Sequence, residues 1–510
     1  MLSIFHRMEP VLSHTLKRLL PVGWRVSRTV VSTNIVNENT APRPFHEIPE
    51  ERQILFGNTI NAIWNYHRCH EYWLDLHRKH GPIFRQRIGK EHFVCVADPQ
   101  LVAEVVRNEG KCPSRGVLPL WDEARKDMNE LQTIANRQGE YWQCLRRKMN
   151  RTMLNSVMVN MSVPDVSKVS KDFIQYLLSK GAKDGYVHLN NEMSKWSLET
   201  FGQVFYGRRL GSFTDDRITE SKQFIDAVMG FFETTEELMF VPPKVARIFW
   251  KKSWKRHLDT SATIFTLGRK YVKDYMKNRT EENKSEVLDD LIFNNEWESE
   301  KEMTTAIIEL MGGGIDTISN SSLFAIYLLS THPEIQDKLY DELKRILPED
   351  GKIPYTFLSE APYLKAVCKE AQRLYPVGTS YTRQMPVDIS LNGHHIPKGT
   401  YVIVPLYALA RMDSIYLDAE RFAPERWIRN ISGKMEHPPF VYFPFGVGPR
   451  MCIGRRFAEL DVNILVALLY RNYKTELLQE TPLQVKTRLI LRASTAVKVR
   501  MIPRKSYQRM

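Results

Sequence analysis

Ten residues near the C-terminal end, Phe445-Gly446-Val447-Gly448-Pro449-Arg450-Met451-Cys452-Ile453-Gly454, combine a thiol, a guanidinium, an aromatic ring and a turn-forming backbone. Gly448 and Gly454 are free to take angles, and to allow close approaches, that a side chain forbids. Pro449 fixes one φ and removes one donor. After Cys452 the apolar residues Phe457, Leu460, Ile464 and Leu465 fall on one face of a helix. Cys452 is thus expected at a helix N-terminus, where orphan amides and the dipole favour thiolate over thiol. A thiolate so placed is a metal ligand. Arg450, two residues away, suits an anionic group on whatever carries the metal, and Phe445 offers an aromatic face. A lone cysteine in a glycine-rich turn is otherwise an ordinary structural thiol, so the surrounding pattern has to separate the two.

A second group lies in the helical stretch 299–330, where Gly312-Gly313-Gly314 precedes Asp316 and Thr317. Each glycine inside a helix costs about 1 kcal/mol relative to alanine, so a run of them needs a reason. Glycines let a flat group lie against the backbone and let the helix widen. A threonine hydroxyl here bonds a carbonyl one turn back or holds a water. Trp142 and Arg146, four apart, share a helix face, and so do Glu370 and Arg373, three apart, on a helix opened by Pro362. Lys365 and Lys369 form a stripe on that last helix, and Arg455 and Arg456 follow the cysteine loop.

The elements that must position these groups are mostly helical. The pattern over 67–80 predicts a helix ended by Gly81-Pro82; Ile83–Ile88 and His92–Ala97 alternate as a hairpin; a second strand-like group spans 383–404. The fold class expected is mainly α with a small β region. The chain has 510 residues, 43% of them hydrophobic, enough for a large core, with no repeat or extended low-complexity tract. Its six cysteines are scattered without a C-x-x-C pair, which argues against zinc and against a disulfide framework. A net charge of +13 points to an anionic membrane or an acidic protein partner, since no nucleic-acid motif accompanies it. Residues 224–257 mix aromatics with lysines and arginines, as an interfacial helix does.

The pattern F-x-x-G-x-R-x-C-x-G resembles the haem-binding signature of the cytochrome P-450 superfamily, whose haem iron takes a cysteine thiolate. The resemblance extends to Gly313-Gly314-Ile315-Asp316-Thr317-Ile318, to Trp142/Arg146, to Glu370/Arg373 and to Phe422-Ala423-Pro424-Glu425-Arg426-Trp427. It implies the cytochrome P-450 fold, with haem b between the I helix (299–330) and the cysteine loop. It makes Cys452 the metal ligand and Phe445 a neighbour of the ligand loop. Trp142, Arg146, Arg383 and Arg450 become binders of haem propionates. Thr317 and Asp316 take the proton-relay role in oxygen activation, with Ile318 departing from the usual final hydroxyl. Glu370, Arg373 and Arg426 become a buried charge triad. Val377, Gly378 and Thr379 are expected to line the space above the haem. The implied reaction inserts one oxygen atom from O2 into a lipophilic, sterol-like substrate. NADPH serves indirectly, through a ferredoxin reductase and an acidic [2Fe-2S] ferredoxin docking at Lys365, Lys369, Arg455 and Arg456. Two alternatives remain at this point: a haem-thiolate isomerase or dehydratase, and a non-catalytic haem sensor or lipid carrier.

Residues 1–36 hold Arg7, Lys17, Arg18, Arg25 and Arg28 against the single acid Glu9, and no run reaches the roughly 18 apolar residues of a membrane span. A basic, hydroxyl-rich leader of this kind reads as a mitochondrial transit peptide. The expected organisation is a leader over 1–41 and one monooxygenase domain over 42–510. The expected place is the matrix side of the inner mitochondrial membrane, held peripherally through 224–257.

Overall fold

The computed structural model describes residues 41–51, 58–116, 118–132, 134–213, 219–348, 352–428, 437–479 and 481–504. The leader expected over 1–41 lies, but for its last residue, outside the described residues. Residues Arg43–Met510 form one compact unit. Its N-terminal edge is tied down at once: Arg43 N donates to Gly393 O at 2.7 Å, and Arg85 N donates to Pro49 O at 2.8 Å.

The Cys69–His80 helix stops at Gly81, whose φ of 87° ends the helical path. The hairpin follows, Ile83–Ile88 against Glu91–Val96, in register from Ile83 opposite Val96 to Ile88 opposite Glu91. Two later strands complete a four-stranded sheet. Tyr401–Pro405 lies parallel to Glu91–Val96, and Ser380–Gln384 pairs antiparallel on its far side. The strand-like group expected at 383–404 is therefore several strands, starting at Ser380. Further strands at Tyr473–Leu477, Val485–Arg488, Ile490–Ala493 and Lys498–Pro503 were not foreseen, because their alternation is short and interrupted.

Everything else of size is helical, packed around Glu300–Thr331. Ser299 caps this central helix by accepting from Glu302 N at 3.1 Å, and Glu300 and Glu302 place acid in the first turn. It stays α-helical through Gly312–Gly314, without the widening expected there. Its Ile307, Met311 and Phe324 join one core with Leu460 and Ile464 of the Arg455–Asn472 helix. The segment 224–257 is not one interfacial helix. It spans parts of Glu220–Leu238 and Lys251–Asn278, with Pro243–Phe249 between. Phe224, Val228, Trp254 and His257 turn inward, while Ile248 and Phe249 are 61% and 75% exposed. Core packing claims Phe224, Trp254 and His257 and leaves Phe249 at the surface. No helix among the described residues is long and apolar enough to cross a membrane.

Pro362 opens the Pro362–Leu374 helix, and Glu342 of the neighbouring helix caps it by accepting from Tyr363 N and Leu364 N, both at 2.8 Å. On its inner face Glu370 is fully buried. Its carboxylate takes two bonds from Arg373 at 2.8 Å each and one from Arg426 Nε at 2.9 Å. Trp427 Nε1 donates to it at 2.8 Å and Ala423 N at 3.0 Å. The triad forms as expected. Removing one member strands a buried charge at about 3–5 kcal/mol. Glu370→Ala should lose that much stability in urea unfolding followed by circular dichroism. Glu370→Ala with Arg373→Ala should lose less than the two single losses added.

Candidate active site

The cysteine loop is shaped by its own backbone and by one unforeseen carboxylate. Cys452 N donates to Phe445 O at 2.7 Å, and Gly446 N to Phe443 O at 2.7 Å. Gly446 and Gly448 both have φ of 73°, whereas Gly454 has φ of −85° and no crowding neighbour. The glycine need foreseen at 454 thus falls on 446 instead. A Cβ on Gly448 would lie 1.7 Å from Glu109 Oε1. That carboxylate accepts from Arg383 Nε at 2.5 Å and from the Tyr381 hydroxyl. Arg383, expected to be a propionate binder, is therefore already ion-paired, although its Nη2 still reaches Val447 O at 3.3 Å.

Cys452 precedes the helix rather than starting it: Gly454 is the N-cap and Arg455 the first helical residue. The Cys452 side chain is exposed. Enclosure by the surrounding protein raises its pKa, while the Gly454 amide, Arg146 and Arg115 favour the thiolate.

Guanidinium groups converge beside the thiol. Arg146, on the Gly139–Met153 helix, donates to Met451 O at 2.7 Å. Arg450 donates to Pro113 O at 2.8 Å and Arg137 O at 2.7 Å, and its guanidinium lies 3.8 Å from the Trp142 ring centre. Burial first, then Arg115, Arg383 and Arg146, push Arg450 down to about 9. Among the described residues Arg450 Nη1 and Arg146 Nε are buried without a partner, whereas Arg115 bonds Ala135 O and Arg383 pairs with Glu109. Two buried guanidinium groups with unmet donors are costly unless anions join them. A group bearing two carboxylates and a thiolate-seeking metal fits this donor set. Haem has that chemistry. Phe445 borders the loop, with Arg455 5.9 Å from its ring centre. Arg115 and Glu109 were not foreseen; they sit in a turn-rich stretch, Glu109-Gly110-Lys111-Cys112-Pro113-Ser114-Arg115, that carries no periodicity.

On the central helix Thr317 Oγ1 donates to Gly313 O at 2.8 Å. Nothing lies within 4 Å of a Cβ placed on Gly312 or Gly313, and both border a cavity. Trp121, Val228, Phe231, Ile264, Phe265 and Ile308 make much of its apolar wall. Asp316 is engaged elsewhere. Arg492 holds its carboxylate with two bonds, one of them 2.8 Å from Nε, and Asn320 Nδ2 donates at 3.0 Å. Asp316 and Thr317 share no hydrogen bond among the described residues. Val377, Gly378 and Thr379 are not part of this cavity wall; Val377 O instead accepts from Leu491 N at 2.8 Å.

On the opposite face Lys369 is exposed and Lys365 half-buried. Partial enclosure by the neighbouring protein lowers the pKa of the exposed Lys369, with Lys365 and Arg455 adding to the effect and Glu459 opposing it. The cations are thus brought together, but Arg455 Nε is paired with Glu459 at 2.9 Å. Arg456 remains exposed.

The loop geometry separates its two glycine positions. Gly448→Ala should cost about 1–3 kcal/mol from backbone strain alone, and more from displacing Glu109. Gly454→Ala should change stability by no more than about 1 kcal/mol. Thermal unfolding of both variants checks the contrast.

A family model for cytochrome P-450 matches residues 49–501. The mitochondrial cholesterol side-chain cleavage enzyme of Oncorhynchus mykiss is 28% identical over 519 residues, covering 96% of this chain and 100% of that protein. The enzyme of the same description from Hypanus americanus is 30% identical, covering 89% and 92%. The mitochondrial 1,25-dihydroxyvitamin D(3) 24-hydroxylase of Mus musculus is 28% identical, covering 88% and 87%. A matched domain of that extent and relatives covered almost end to end bear out the resemblance carried by the cysteine loop. The chain belongs to the cytochrome P-450 family, within its mitochondrial clan, and is a haem-thiolate monooxygenase.

Proposed function

We propose that this monooxygenase hydroxylates a lipophilic, sterol-like substrate in the mitochondrion, with electrons passed from NADPH through a ferredoxin reductase to a [2Fe-2S] ferredoxin. The observation that carries the reading is the convergence of Arg115, Arg146, Arg383 and Arg450 around the Cys452 loop. When bound, haem supplies the metal centre, and thiolate ligation favours O–O cleavage. Cys452 ligates the metal. Arg146 and Arg450 would hold the carboxylates, with Trp142 stacking on Arg450 and Arg115 joining from the turn. Arg383 acts from its pair with Glu109. Thr317 holds a proton at Oγ1 and hands it toward the cavity. Asp316 resupplies Thr317 only when Arg492 loosens its hold.

The sterol-like substrate is supported by the apolar cavity and by the names of the relatives. A transit peptide over 1–41, a domain over 42–510 and peripheral attachment to the inner membrane from the matrix side complete the reading. Ile248 and Phe249 are the apolar residues within 224–257 best exposed for that attachment. Lys365, Lys369 and Arg456, with Arg455 shared with Glu459, form the face for an acidic ferredoxin.

Thr317→Ala tests the reaction. The variant should keep a thiolate-type carbon monoxide spectrum and substrate binding, yet release more hydrogen peroxide per NADPH consumed. An unchanged ratio with full product yield would remove Thr317 from the mechanism. Lys365→Gln with Lys369→Gln tests the partner face. Exposed pairs are each worth about 0.2–1 kcal/mol, so apparent ferredoxin KM should rise several-fold to about tenfold. The wild type should also lose more rate with salt than the double variant. Equal ferredoxin titrations at both salts would place docking elsewhere.

A further inference from the structure

The central helix carries a buried carboxylate whose partner comes from the far end of the chain and also touches the cavity wall. Asp316 and Arg492 are both buried. Arg492 gives Asp316 Oδ2 two bonds, the one from Nε at 2.8 Å, and Asn320 Nδ2 donates to Oδ1 at 3.0 Å. Both carboxylate oxygens are thus occupied, and Arg492 is the charged group that bears on them among the described residues. Thr317, the next residue, points about 100° away around the helix and bonds Gly313 O at 2.8 Å. Arg492 sits on the strand Ile490–Ala493, fixed beside it by Leu491 N donating to Val377 O at 2.8 Å. Its guanidinium has a second contact, the Phe232 ring, whose centre lies 5.2 Å away. Phe232 belongs to the Glu220–Leu238 helix and is part of the cavity wall. One guanidinium is therefore shared between a carboxylate on the central helix and a ring that an occupant of the cavity touches.

We propose that Arg492 is a positioning residue that withholds Asp316 from Thr317 until the cavity is filled, with Phe232 as the contact that senses the occupant. The inference rests on the reading that Asp316 supplies protons to Thr317, and adds its regulation. An occupant shifts such an equilibrium only by its differential affinity for the two states. A cation–ring contact limits that shift to about threefold to fivefold. The sign follows from the surroundings of the carboxylate. Burial favours the neutral acid, and Arg492 is the cation opposing it. Loosening Arg492 therefore raises the proton affinity of Asp316, so filling the cavity takes up part of a proton and the occupant binds more tightly as pH falls.

The test measures Kd from the ferric spectral shift of the haem-loaded full chain between about pH 5 and 8. The probes are cholesterol and clotrimazole, a bulky azole that needs no knowledge of the natural substrate. Each series is referred to Asp316→Asn, which cancels any proton the probe itself exchanges. Relative to that variant, the wild type should gain about threefold to fivefold in affinity on acidification. Arg492→Lys should keep part of the gain, because the charge stays while the two-point contact is lost. Arg492→Gln and Phe232→Leu should lose it. If Arg492→Gln does not fold, Phe232→Leu carries the test, since it keeps an apolar wall and the ion pair. Identical pH dependence in wild type and Asp316→Asn overturns the proposal, as does a gain that survives in folded Phe232→Leu. Clotrimazole decides the matter if cholesterol gives no shift; that silence counts against the sterol-like substrate alone. No shift with either compound overturns the cavity as the place of binding, and the proposal with it. A pH-linked Kd beside an unchanged peroxide ratio in Thr317→Ala sinks the relay reading and leaves the link between occupant and Asp316 standing.

Discussion

The buried Glu370 carboxylate is the contact on which the rest of the site depends. It is fully desolvated, and it tolerates burial only because Arg373, Arg426, Trp427 and the Ala423 amide surround it. Arg373 in turn reaches Ala419 O at 2.7 Å and Arg421 O at 3.1 Å. One side chain thus pins the irregular segment leading to the cysteine loop onto the Pro362–Leu374 helix. The outer face of that helix carries Lys365 and Lys369. Loop and helix are consequently tied together by hydrogen bonds, and Lys365 and Lys369 lie on the same helix as that anchor.

The fold concentrates unfavourable electrostatics where the cofactor belongs. Burial and like charges together weigh on Arg450. Glu109 offsets part of this and at the same time dictates glycine at position 448. The anionic groups and metal of a bound haem would relieve the remainder and so link cofactor binding to local stability. Glu109 thus plays two parts: it holds Arg383 in place and fills the volume that shapes the loop.

Across the cavity, the central helix separates its functions by face. Gly312 and Gly313 leave backbone bare, Thr317 ties its hydroxyl to Gly313 O, and Asp316 turns to Arg492. Arg492 also lies 5.2 Å from the centre of the Phe232 ring, itself part of the cavity wall. The Asp316 carboxylate is therefore joined, through two contacts, to the cavity wall.

The sequence by itself determined what local chemistry dictates. The Gly81 helix stop, the Ile83–Val96 hairpin, the capped central helix and the Glu370/Arg373 pair all rest on residues within a few positions of one another. So does the cysteine loop, whose density of special residues named the family. Tertiary structure alone decided the partners. Arg383 meets Glu109 across 274 residues, and Arg492 meets Asp316 across 176. Neither pair leaves a periodic trace, because the contact depends on how distant elements pack. The same packing turned Trp254 and His257 inward, left Ile248 and Phe249 outside, and moved the strained glycine from 454 to 446. Local patterns follow from covalent geometry and near-neighbour bonding. Which charge is buried, and against what, follows only from closing the whole core.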